Sequence, residues 1–276
     1  MQYTNYSVLM SVYAKENAEF FKLAIDSMLS QTIPPDDFVI VCDGPLSKEL
    51  DAVLCEMKKS NSMIQDIRLK ENGGLGKALQ VGIKHCKNEL IARMDSDDIS
   101  RPERCALQLL VFKNNPQVAI CSGTIEEFIT TPDDARQQRV LPEDDKSIKE
   151  FAKRRNPFNH VAVMYKKSAV LDAGNYQSFH YLEDYYLWIR MFQKGYQGYN
   201  ISQPLVWVRT GFGMIRRRGG FKYIRSQVKL FKYMLDVHYI NYFEYITNVL
   251  IRFLSGIMPN KIRGYFFKNH LRENKE

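Results

Sequence analysis

No two of the five cysteines (Cys42, Cys55, Cys86, Cys105 and Cys121) form a Cys-x-x-Cys pair, and their number is odd. That excludes a disulfide framework and a structural zinc site, and it argues for a reducing cytoplasm. The opening residues Met1 to Tyr6 carry neither a basic nor an apolar leader region, so no signal peptide is expected. The longest greasy stretch, Tyr245 to Met258, is interrupted by Asn248 and Arg252. It falls short of the roughly 20 residues that span a bilayer, so no membrane crossing is expected. Internal repeats and low-complexity tracts are missing as well. What remains is an ordinary folded chain of 276 residues, 45% apolar and 25% charged, enough for one large domain or two small halves.

Charge is unevenly distributed. Residues 210–276 hold 13 Lys and Arg against four acids, a surplus of +9, while the first 209 residues hold 26 bases against 27 acids. A near-neutral body thus carries a basic tail.

Short apolar runs predict strands at Ser7–Val12, Phe38–Cys42, Ile64–Leu69, Leu90–Met94 and Val161–Tyr165. Between them, Asn17 is placed to cap a helix with Phe21, Ile25, Met28 and Leu29 on one face. Further helices are predicted over Leu50–Lys59, from the Asn72-Gly73-Gly74 turn to His85, from near Pro102, over Ser168–Ala173 and over Glu183–Gln193. Gly195 stands where a left-handed cap is expected. The polar, proline-bearing stretch 130–150 reads as a loop between halves. Strands and helices alternating at this pace predict an open α/β sheet with a parallel core. Ligands in such sheets sit at the carboxyl ends of the strands, which is where Tyr13, Asp43 and Asp95 fall.

Asp95-Ser96-Asp97-Asp98 is the strongest chemical signal. Three carboxylates within four residues repel one another unless a cation or solvent separates them. Hard divalent cations, Mn²⁺ or Mg²⁺, take such oxygen ligands and complete their shell with phosphate oxygens. An Asp-rich turn that merely caps the next helix is the plainer reading. His160 and His180 have no ligand partner at helical spacing and read as structural. Arg101 and Arg104 read as cations that balance the acidic turn.

Four segments in order, Ser7-Val-Leu-Met-Ser-Val-Tyr13, Val41-Cys-Asp43-Gly44, Asn72-Gly-Gly-Leu75 and Arg93-Met-Asp95-Ser-Asp97-Asp98, resemble family-2 glycosyltransferases of the GT-A fold. Asn156-Pro-Phe-Asn-His160, Ala173-Gly-Asn-Tyr176 and Glu183-Asp184-Tyr-Tyr-Leu-Trp188 are similar to the acceptor half of the same family, in its bacterial capsule, O-antigen and exopolysaccharide branch.

The resemblance implies a GT-A domain over 1–210, with a nucleotide-sugar half to about 125 and an acceptor half from about 126. A helical tail would follow over 211–276. It further implies an inverting transferase that moves a sugar from a nucleotide donor, UDP by analogy at Asp43, though GDP and TDP stay open. Ser11 and Tyr13 would lie along the nucleoside, and Asp43 would accept from the uracil N3–H. Asn72 and Gly73 would let the backbone approach the nucleotide, Lys77 would reach phosphate, and Asp95 would face the ribose. Asp97 or Asp98 would bind the cation; the sequence leaves both open. Asp184 is the candidate general base, with Glu183 and His160 as acceptor-side or supporting residues.

In the tail, Phe221, Ile224, Val228, Phe231 and Leu235 recur at helical spacing beside Lys222, Arg225, Lys229 and Lys232. Phe243, Ile246, Leu250, Phe253 and Ile257 repeat the spacing with few charges. Basic amphipathic helices of this kind suit an anionic membrane interface. Packing on the body, or on a second copy in a homodimer, is the alternative. Arg209 to Arg218 reads as a mobile basic loop. With a polyprenyl-diphosphate-linked acceptor implied, the expected location is peripheral, on the inner face of the plasma membrane. No nucleic-acid-reading module is visible, so nucleic acid is not an expected partner. The rival from another class is an inactive GT-A-like scaffold at the membrane. A nucleotidyltransferase would want a Gly-rich basic loop after the first strand, which Tyr13-Ala-Lys-Glu-Asn17 lacks.

Overall fold

Strand β1 (Ser7–Val12) runs through the parallel core of a mixed sheet, with β2 (Asp37–Cys42) on one side and β4 (Leu90–Asp95) on the other. Strand β3 (Ile64–Arg68) extends the parallel half beyond β2. The computed structural model describes residues 5–210, 220–257 and 272–274; among them the sheet has ten strands. Beyond β4 its direction changes. Strand β8 (Met164–Lys166) lies antiparallel between β4 and β6 (Val118–Phe128), and β9 (Gln197–Arg209) runs parallel to β6. Strand β5 (Ile99–Ser100) pairs with β9, β7 (Gln137–Arg139) with β6, and β10 (Glu273–Asn274) with β7. This is the α/β architecture expected, with helices at the C-terminal end.

Because strand side chains alternate between faces, each strand feeds two cores. Leu9, Val39, Val41 and Ile91 share one with α3 (Leu75–His85) and α7 (Glu183–Gln193). Val8, Met10, Phe38, Ile40 and Met94 share the other with α1 (Ala18–Leu29), α2 (Lys48–Ser60) and α4 (Arg104–Asn114). Asn17 caps α1 as expected, its side chain accepting from the Glu19 and Phe20 amides at 2.9 and 3.1 Å. Gly195 follows α7 with φ +84°.

Four readings are corrected. Residues 130–150 are not a plain loop: they contain β7 and the helix α5 (Asp145–Phe151), capped by Asp144, which accepts from the Ser147 amide at 2.9 Å. Only Ile148 of that helix is buried, too little apolar pattern to betray it. Val161–Tyr165 splits into a 3₁₀ turn, His160–Ala162, and then β8. The long strands β6 and β9 went unread; β9 carries Pro204 and the exposed Ser202-Gln203 at its middle, where its register against β6 shifts. Arg101 and Arg104 do not balance the acidic turn. Arg101 pairs with Glu126 at 2.6 Å and lies over Trp207, and buried Arg104 donates to the Arg93 carbonyl at 2.7 Å.

The tail is partly reassigned. Helix α8 (Phe221–Asp236) buries Ile224, Leu230, Phe231 and Met234, and the last three join the cluster that holds Trp188. Phe221, expected on the same stripe, is 80% exposed. The first stripe therefore packs on the body instead of meeting lipid. Helix α9 (Tyr242–Ile257) follows it. Residues 211–219, which include most of the expected basic loop, lie outside the described residues. No helix among the described residues is long and apolar enough to cross a membrane.

Candidate active site

Three neighbouring parallel strands deliver the expected residues to one edge. Ser11 stands opposite Val41 on one side and Asp95 on the other, and the Asp43 amide donates to the Val12 carbonyl at 2.8 Å. Tyr13, Asp43 and Asp95 thus leave the carboxyl ends of β1, β2 and β4 side by side. Parallel pairing brings this about, since it aligns like ends.

Asp43 is buried and organises the next turn. Its two carboxylate oxygens accept from the Gly73 and Gly74 amides at 2.7 and 2.9 Å, and its carbonyl accepts from the Asn72 side chain at 3.1 Å. Gly44 permits this approach: φ is +87°, and a Cβ there would lie 2.8 Å from the Asn72 nitrogen. Lys77, one turn into α3, is exposed and donates to Gln80 at 3.2 Å.

The acidic turn holds two distinct kinds of carboxylate. Asp98 is buried and accepts from the Arg209 amide at 2.7 Å, while the Arg209 side chain donates to the Asp97 carbonyl and lies 3.6 Å over the Phe20 ring. Burial pushes the Asp98 carboxyl well above the usual range, and the charges of Asp97 and Asp95 add to it. Asp97 and Asp95 are only half-buried. Among the described residues no three Asp, Glu, His or Cys side chains converge into a ready-made metal cage. A cation here would have one or two carboxylates and would need donor phosphates to complete its shell, a pattern that suits Mg²⁺ or Mn²⁺. The crowding of the Asp95 and Asp97 charges near Asp98, secondary to burial in raising its carboxyl, fits such a cation.

Near Arg93 of β4, α7 begins with Glu183 and Asp184. Asp184 accepts from the Asn156 side-chain amide at 2.6 Å. Burial raises its carboxyl above the ordinary range; the Asn156 hydrogen bond and the charges of Arg93 and Arg139 pull the other way. Glu183 packs against α3: a Cβ on Gly76 would lie 2.7 Å from Glu183 Cγ. Its carboxyl is pushed up to about 7 by burial, with the Asp184 charge adding. His160 meets the Tyr176 hydroxyl at 2.9 Å, and burial holds its imidazole well below the usual range, so it is neutral.

Arg93 joins the two sides. It is fully buried, forks onto both oxygens of Asp95, and its charge acts on Asp184 and His160. Neither it nor Asn156 stood out as a functional residue by sequence. A buried Arg two residues before an Asp on a strand faces the same side as that Asp, and this spacing was the available signal.

The sequence model of Glycosyl transferase family 2 matches residues 7–225. The chain is 36% identical over 267 residues to the UDP-Gal:alpha-D-GlcNAc-diphosphoundecaprenol beta-1,3-galactosyltransferase of Escherichia coli, covering 97% of this chain and 96% of that one. Among solved structures, S. aureus TarS 1-349 in complex with UDP-GlcNAc superposes with a TM-score of 0.67 at 15% identity, over 97% of this chain and 76% of that one. A Pyrobaculum calidifontis mannosyltransferase in complex with GDP-Man and Mn²⁺ gives a TM-score of 0.63 at 12% identity, over 94% and 77%.

Proposed function

The chain belongs to glycosyl transferase family 2 and is a glycosyltransferase; from that premise we propose that it moves a sugar from a UDP-sugar to a hydroxyl of a polyprenyl-diphosphate-linked bacterial glycan, with inversion. Residues up to about 125 would bind the donor and 126–210 the acceptor. The enzyme would work at the inner face of the plasma membrane, drawn there by its basic tail. The name of the 36%-identical relative, with a UDP-sugar donor and a diphosphoundecaprenol acceptor, supports this reading.

The observation that carries it is the pairing of Asp184 with Asn156 near Arg93 of β4. An acceptor hydroxyl there gives its proton to the Asp184 carboxylate as its oxygen bonds to the anomeric carbon. The bond from that carbon to the diphosphate breaks, and its electron pair leaves with UDP. One displacement and one base suffice. A raised Asp184 carboxyl is a stronger base than a free one, and Asn156 keeps it oriented. Asp43 fixes the Asn72-Gly73-Gly74 backbone against the nucleoside and has lone pairs left for a base N–H. Lys77 lies within one turn of that backbone and would reach the phosphates.

Asp97 would hold a divalent cation; both Asp95 oxygens accept from Arg93, and Asp98 is buried on the Arg209 amide. Such a cation supplies charge neutralisation to the departing diphosphate. Transfer from a panel of nucleotide sugars to a short-chain GlcNAc-diphosphate lipid, followed by mass spectrometry, tests the reading. Product from a UDP-sugar is expected. Turnover only with GDP- or TDP-sugars, or only onto a lipid-free acceptor, would overturn it.

A further inference from the structure

Helix α9 is inside out for a helix in water. At 100° per residue, Tyr242, Phe243, Ile246, Leu250, Phe253 and Leu254 fall within an arc of about 120°. All six are exposed, Phe243 by 79% and Leu250 by 56%. The inward side carries mainly polar and small residues, with Tyr245 against the core cluster and Val249 half-buried as its apolar contributions. Asn248 is buried and donates to the Lys153 carbonyl at 2.9 Å, Arg252 donates to the Arg154 carbonyl, and Gly256 packs so closely on Ile224 that a Cβ would lie 2.4 Å from Ile224 Cγ1. The helix is firmly founded: Asn241 and Glu244 cap it reciprocally, both bonds at 2.8 Å. A surface helix normally turns its apolar stripe to the core. This one is held by its polar side, and its apolar arc faces away from the body.

We propose that this outward arc is the surface by which the protein lies in the interface of an anionic membrane leaflet, with α8 as the strut that fixes it to the catalytic body. Charge decides between a leaflet and a second copy. Lys153, paired with Glu150 and Glu244, and Arg154 adjoin α9; Lys222, Arg225 and Lys229 are exposed on α8, which meets α9 where Ile224 packs on Gly256, and Lys232 is paired with Asp236. A two-fold contact between copies through the arc would bring these cations towards like cations, whereas anionic lipid complements them. The same loop aims the site: Lys153 and Arg154 carry α9, and Asn156, no more than about 11 Å along the chain from Lys153, holds Asp184. The leaflet therefore adjoins the acceptor side of the candidate base. This deepens the proposed function and rests on it only for that direction; the docking surface stands on the helix itself.

Flotation of the full chain with vesicles of phosphatidylglycerol and phosphatidylcholine, against phosphatidylcholine alone, tests the proposal beside the F243S/L250S/L254S variant. The wild type should float with the anionic vesicles, less so as salt rises. The variant should lose roughly 100-fold in partitioning while keeping its melting temperature and UDP affinity. A wild type that ignores both vesicles, or a wild-type dimer that the variant turns into a monomer, would overturn the proposal. Sugar transfer to a lipid-free short-chain acceptor, measured on both proteins, separates the two readings: flotation without any transfer sinks the function alone, and transfer without flotation sinks the docking surface alone.

Discussion

Asn156 donates its side-chain amide to a carboxylate oxygen of Asp184 at 2.6 Å, joining positions 28 residues apart. This bond favours the charged form of a carboxyl that burial has raised. Asn156→Ala should therefore raise the Asp184 pKa further, and the acid limb of the rate profile should move up by about one pH unit. Asp184→Asn should cut kcat by ~10²-fold or more with UDP affinity nearly unchanged. A kcat profile against pH for both variants checks this. An acid limb that stays where it is in Asn156→Ala removes the bond from the mechanism.

Glu183 predicts a stability effect with a definite sign. Its carboxyl titrates near 7 in the folded chain against an ordinary 4.5. Between those values the native state binds more protons than the unfolded one, so stability falls as pH rises from about 4.5 to about 7. Glu183→Gln removes that term. The variant should match the wild type near pH 4.5 and exceed it above pH 7, by on the order of 2 kcal/mol. Denaturant titrations at pH 4.5 and 8 measure it, and a gap that is equal at both would contradict the titration.

The two candidate ligands separate by their partners. Asp98 is tied to the Arg209 amide, so Asp98→Ala should lower the melting temperature by several degrees through the lost bond, on the order of 2 kcal/mol. Asp97→Ala should abolish the gain in UDP affinity on adding Mn²⁺. Calorimetric titration of UDP with Mn²⁺ and with EDTA gives the answer. Equal UDP affinity in EDTA for the wild type would dismiss the cation from donor binding.

Gly44 makes a steric prediction. With φ at +87° and the Asn72 nitrogen 2.8 Å from where a Cβ would sit, Gly44→Ala must displace the Asn72-Gly73-Gly74 backbone. We expect a loss of ~1–3 kcal/mol in stability and weaker UDP binding. Unchanged UDP affinity would show that this backbone is not part of the donor site.

Much of the N-terminal half was legible because its signals are local. Asn17, a run of apolar residues, then Asp43-Gly44 and Asn72-Gly73-Gly74 each announce a cap, a strand or a turn within a few residues. The strand ends that hold Tyr13, Asp43 and Asp95 followed once the parallel order was inferred. Strand β9 and helix α5 were hidden for the opposite reason: β9 is held by β5 and β6, distant in sequence, and is interrupted by Ser202-Gln203-Pro204, while α5 packs on β9 with only Ile148 buried.

The sequence by itself determined which candidate residues fall at the strand ends and which helices carry a greasy stripe, since periodicity depends only on the chain's own geometry. Only the tertiary structure decided what each stripe meets. The pattern in α8 and that in α9 look alike as text, yet Leu230, Phe231 and Met234 enter the core beside Trp188 while Phe243 and Leu250 face outward. Direction is set by what lies opposite. For α9 that includes, beside Ile224 of α8, two carbonyls of the loop before Asn156, which Asn248 and Arg252 satisfy and no apolar side chain can.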